Sequence, residues 1–159
     1  MTGQTLAVVC FGGEDWWYHN RGHFDFQLMK RFAENNTVLY INSIVMQRPK
    51  LGQKKRFFEK LLRKVKSILT GLKKSSAGFW VYSPLSLPFH HIGWARWLNS
   101  RLLRFQIWCV LKKLGIRDFI LWVACPAACD VAVRMKKYKL VYQRTDVYEQ
   151  YPDVPGEII

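Results

Sequence analysis

This sequence predicts an α/β fold, a doubly wound, Rossmann-like parallel sheet of about five strands, and three observations carry that expectation. Five short apolar runs recur along the chain. Each is apolar throughout rather than alternating, as strands covered on both faces must be. Between them lie stretches whose apolar residues recur at helical spacing. Such alternation means βαβ units, with ligand contacts outside the carboxyl ends of the strands.

The elements follow in order. Leu6-Ala-Val-Val-Cys-Phe11 is the first strand and ends at Gly12-Gly13. After a loop through Asp15-Trp16-Trp17-Tyr18, a helix carries Phe24, Leu28 and Phe32 and stops near Asn35-Asn36. Thr37–Asn42 is the second strand, residues 57–72 are helical, and Gly78–Ser83 is the third strand. A loop marked by Pro84 and Pro88 leads into a long helix, about Ile92 to Leu114, with Gly115 as its stop. Phe119–Ala124 is the fourth strand, broken at Pro126. A short helix over roughly Ala127–Lys136 precedes the fifth strand, Leu140–Gln143. The length of 159 residues suits one domain, and the C-terminal Tyr151–Ile159 reads as the start of a further helix, as if the chain were the front part of something longer.

Composition narrows the function classes. Half the residues are hydrophobic, which excludes a disordered tail. No apolar run approaches the roughly 18 residues of a spanning helix. The N-terminus lacks the basic region of a secretory signal. Cys10, Cys109, Cys125 and Cys129 are scattered in mostly apolar runs and read as reduced thiols, which points to the cytoplasm. Cys125 and Cys129 have C-x-x-x-C spacing with no nearby histidine, so no metal is expected.

The net charge of +14 is concentrated. Residues 1–46 hold three basic and four acidic side chains, residues 47–74 eleven and one, and residues 75–159 eleven and six. A net +10 in one short segment points to an anionic partner there. The apolar residues of 57–72 fall within an arc of about 140°, and lysines and arginines occupy the rest. A basic amphipathic helix over about 53–74 is therefore expected, with Lys54, Lys55, Arg56, Lys60, Arg63, Lys64 and Lys66 facing an anionic membrane surface. The plain alternative is a crossover helix with its apolar stripe on the sheet. In the long helix, Leu98, Leu102, Phe105 and Cys109 make the expected core stripe, and Trp94 and Trp97 beside Arg96 suit a lipid headgroup level. The same composition can stack on bases, yet no RNP, zinc-finger or helix-turn-helix pattern supports nucleic acid as the partner.

Several strand-end residues are candidates for chemistry. Gly12-Gly13 makes either a tight βα turn or a phosphate contact, and it is not a full G-x-G-x-x-G. His19 and His23 follow the first strand, and His90-His91 follow the third. Asp146 lies just past the fifth strand, where a carboxylate accepts a proton, binds sugar hydroxyls, or simply caps a helix.

Together, Trp16-Trp17 with Arg21-Gly-His23, Val38–Asn42, Trp80–Pro84 with Leu87-Pro88, Leu121-Trp122 with Pro126, and Leu140–Tyr142 with Asp146 resemble the N-terminal, acceptor-side domain of GT-B-type bacterial glycosyltransferases. The resemblance spans nearly the whole chain. It implies binding of a lipid-linked or glycan acceptor, a nucleotide-sugar donor held by a second domain, catalysis between the two and no obligatory cofactor. The second domain is missing from the pattern, so the isolated chain is expected to need a separate donor-binding polypeptide. In that setting Gly12, Gly13 and Asp15 are expected near donor phosphate, and His23 and Asp146 toward the acceptor. The expected place of work is the inner face of the plasma membrane, as a peripheral protein. Two other readings are a basic membrane- or nucleic-acid-binding module without catalysis and a nucleotide-binding Rossmann protein of another class.

Overall fold

A computed structural model describes residues 6–18, 22–44, 62, 66–86, 93–137 and 139–144. The elements are β1 (Ala7–Phe11), α1 (Phe24–Ala33), β2 (Val38–Ile41), β3 (Leu72–Lys74), β4 (Trp80–Tyr82), α2 (Gly93–Lys113), β5 (Phe119–Val123), a 3₁₀ turn (Pro126–Ala128), α3 (Cys129–Ala132) and β6 (Lys139–Tyr142). Six strands form one sheet in the order β3-β4-β2-β1-β5-β6, parallel except for β3 against β4. The protein is thus α/β with a mostly parallel sheet, compatible with a Rossmann-like fold. The order reverses between β1 and β5, so the loops after these strands diverge at the sheet centre.

The unbroken apolar runs are explained by burial on both sides. Val8 and Cys10 of β1 join Val38, Tyr40 and Val81 under Phe26 and Met29 of α1. Val9 and Phe11 join Leu39, Ile41, Leu121 and Val123 under Leu103, Ile107 and Val110 of α2. Alternate residues of one strand therefore feed two separate cores.

Four expectations are corrected. Residues 62 and 66–70 are helical, but the helix does not reach 72. Gly71, at φ +59°, ends it, and β3 turns into β4 through Ser75–Gly78, where the Ser75 amide donates to the Phe79 carbonyl at 2.8 Å. Lys73 and Lys74 thus lie on an exposed sheet edge, where charge opposes pairing with other chains. The rest of the expected 53–74 helix lies outside the described residues.

The expected helix over 127–136 is a 3₁₀ turn and a single α turn. The Lys137 ammonium donates to the carbonyls of Ala132, Val133 and Met135 at 2.9–3.1 Å and closes that turn. The last strand, β6, is not buried: Lys139, Leu140 and Tyr142 are exposed because nothing described covers this edge.

The core stripe of α2 is also different. Leu98, Phe105 and Cys109 are exposed, Leu102 is half-buried, and the residues facing the sheet are Ala95, Asn99, Leu103, Ile107, Val110 and Leu111. Both stripes have helical spacing, so periodicity alone could not choose between them. The end of α2 is as expected: Ile116 N–H donates to the Leu111 carbonyl and Gly115 N–H to Lys112, with Gly115 at φ +68°, a Schellman cap.

Candidate functional site

Polar side chains converge where the parallel strands end. β2 runs out into Asn42 and β4 into Ser83, both buried. Ser67, on the helical residues 66–70, is buried against them. The Asn42 amide nitrogen donates to Ser83 Oγ at 2.8 Å, the two serine hydroxyls lie 2.7 Å apart, and Ser67 Oγ donates to Asp15 Oδ2 at 2.7 Å. Asn42 Oδ1 accepts the Trp16 amide at 3.0 Å, and Asp15 Oδ1 accepts the Trp17 amide at 3.0 Å. The chain of donors ends on the Asp15 carboxyl, which holds the loop after β1 to the ends of β2 and β4. Buried polar groups connected in this way specify one geometry, because each would cost about 1–3 kcal/mol left unpaired.

A second cluster surrounds Asp25 in the first turn of α1. Its Oδ2 accepts the Gly13 amide at 3.1 Å and lies 2.8 Å from the Tyr40 hydroxyl, while Oδ1 accepts the Phe26 amide at 2.9 Å. A helix N-terminus after the first strand is where a phosphate would ordinarily bind. Here Asp25 already occupies the Gly13 amide and places negative charge beside it. Gly12 has a packing reason of its own, since a Cβ there would fall inside the Tyr40 phenol.

Burial, reinforced by Asp25, holds the Tyr40 hydroxyl and the Cys10 thiol well above their ordinary pKa values, and burial pushes Cys125 up to about 11. These buried thiols remain protonated near neutral pH and are poor nucleophiles. Among the described residues no group of three or more His, Cys, Asp and Glu is arranged to hold a metal. No described helix is long and apolar enough to cross a membrane.

The structure brings Gly12, Gly13 and Asp15 together after β1. His23 sits apart at the α1 N-cap, exposed, with its ring edge-on to Phe26 at 5.7 Å. Asp146, His19, His90, His91, Lys54, Lys55, Arg56, Lys60, Arg63 and Lys64 lie outside the described residues. Lys66 is exposed beside buried Ser67, and Leu62 and Leu69 are also exposed, so at these positions the apolar stripe of the basic segment points away from the sheet.

Asp25, Tyr40, Asn42, Ser67 and Ser83 were not singled out by sequence. Asn42 and Ser83 carried a usable signal, being the first polar residues after apolar strands. No known family, no curated protein and no solved structure matches this chain.

Proposed function

We propose that this chain is the acceptor-binding domain of a glycosyltransferase that moves a sugar from a nucleotide sugar to a membrane-associated or cell-surface glycan, working at the inner face of the plasma membrane. The observation that carries the reading is Ser67. It belongs to the +10 segment, yet its side chain is buried in the Asp15–Asn42–Ser83 cluster while Lys66 and Leu69 face outward. The segment suited to an anionic surface is thereby pinned to the edge at which a sheet of this class meets its ligand. A lipid-linked acceptor needs that coincidence, because its glycan must reach the site while its lipid stays in the bilayer.

In this reading Asp146 takes the acceptor proton, while the Asp15 carboxyl holds the loop after β1 to the strand ends. His23, on the rim of the same edge, orients the acceptor. Gly12 and Gly13 approach donor phosphate only if Asp25 gives up the Gly13 amide. The nucleotide sugar is held by a second domain, on this or another polypeptide.

Deletion of the gene, with mass-spectrometric profiling of lipid-linked and cell-surface glycans, is the test. A glycan one sugar short should accumulate, and Asp146→Ala should fail to restore the full-length product. An unchanged glycan profile overturns the proposal.

A further inference from the structure

The geometry points to the outward face of α2 as a second lipid-docking surface, lying flat on an anionic bilayer. The inference rests on the membrane-apposed reading above and adds to it a surface outside the basic segment. Trp94, Trp97, Arg101, Phe105, Trp108 and Lys112 fall within an arc of about 80° at roughly 100° per residue, opposite the buried stripe. Trp94, Trp97, Phe105 and Trp108 are 65, 57, 62 and 51% exposed. From Trp94 to Lys112 the row runs about 27 Å along the helix, too long for a chance cluster at one loop.

The chemistry of the row selects its occupant. Arg101 stacks over the Trp97 ring at 4.4 Å and Lys112 over Trp108 at 4.2 Å, while Phe105 and Trp108 stack with ring centres 6.1 Å apart. Each cation is thus held against an indole, which keeps rings and charges at one level along the helix. Residues 93–113 contain five Arg and Lys and no Asp or Glu. Apart from Asp130, which lies 4.0 Å from Arg96, a second copy of this chain would bring the same positive charge to the contact. An anionic lipid surface offers the complement: phosphates at the depth of the cations, and a headgroup boundary that accepts Trp and Phe. Trp seated there keeps its polar N–H near water and its ring body in the acyl region.

Flotation of the full chain with vesicles of pure phosphatidylcholine, or with about one third phosphatidylglycerol, tests the assignment. The wild type should bind the anionic vesicles, and Trp97→Ser/Phe105→Ser/Trp108→Ser should weaken binding at least tenfold with an unchanged melting temperature. Arg101→Glu/Lys112→Glu should reduce the preference for anionic vesicles severalfold, the basic segment keeping the remainder, which keeps the test decisive should the triple variant misfold. If the wild type binds and both variants bind equally well, the α2 surface is overturned while the basic segment stands. If the wild type binds neither vesicle, the membrane reading and this surface fall together, and the glycan profile still judges the transferase reading. Concentration-dependent dimerisation abolished by the triple variant, without vesicle binding, makes the occupant a second copy and overturns lipid.

Discussion

Helices α1 and α2 cover opposite faces of one sheet and meet water in different ways. α1 buries Phe26 and Met29 and, beyond an exposed Phe24 at its start, presents polar and mixed-sign residues, with Arg31 and Glu34 bridged at 2.9 Å. α2 buries Leu103 and Ile107 on one side and exposes three tryptophans and a phenylalanine on the other, among cations only. Scattered exposed apolar residues are ordinary in a soluble protein. A continuous aromatic row along a whole helix is not, because leaving such surface in water forgoes about 25 cal/mol per Å² that a partner would recover. The difference is that the α1 face presents mixed-sign polar residues to water, whereas the α2 face presents the aromatic row on which the lipid-docking proposal rests.

The largest test of that contrast sits within α2 itself. Leu103→Ala removes a side chain packed against the sheet and should cost about 2–5 kcal/mol. Phe105→Ala, two residues on, should change stability by under about 0.5 kcal/mol. Chemical denaturation of the two variants measures both. Similar losses for the two would mean that the outward face is packed after all.

On the α1 side, Asp25→Ala should destabilise by about 1–3 kcal/mol, since the Gly13 amide loses its acceptor and Tyr40 its carboxyl partner. Vesicle affinity of the folded fraction should stay at the wild-type value. A change in affinity without a change in stability would sink the assignment of the two faces to different tasks.

The smallest effect is in alkali and draws on both cores. Cys10 lies under α1 and Cys125 under α2, and both thiols have native pKa values raised above the ordinary 9.0. The native state then holds protons that the unfolded chain has released. Stability is fully present below pH 9 and declines above it, by on the order of 1 kcal/mol per pH unit for each thiol. Melting temperatures between pH 8 and 10.5 should fall, and Cys125→Ala should flatten the fall through pH 11, where the native thiol itself ionises. An identical slope in the variant would assign the alkaline loss to Tyr40 and Cys10 instead.

Much of the fold was legible because its signals are local. The runs at Leu6–Phe11, Thr37–Asn42 and Phe119–Ala124 have a single reading, and Gly115 stops its helix by the one conformation in which glycine has an advantage. The hairpin at β3 escaped notice because Leu72, Lys73 and Lys74 continue a helical pattern, and only the turn at Gly71 breaks it. The candidate site was legible at Gly12, Gly13 and Asp15 through their place after a strand. Ser67 was not, because a lone serine in a basic segment gives no sign that it will be buried 52 residues away from Asp15.

By itself, then, the amino-acid order determined the α/β class, the parallel strands, the position of the long helix and the charge concentrated in 47–74. Those are properties of neighbours in the chain, written in run length, period and sign. Only the tertiary structure decided which stripe of α2 faces the sheet, that Asp25 sits where an anion would, and that Ser67 ties the basic segment to the strand ends. Each is a choice between surfaces that look alike along the chain and become unequal when the sheet supplies one partner to one of them.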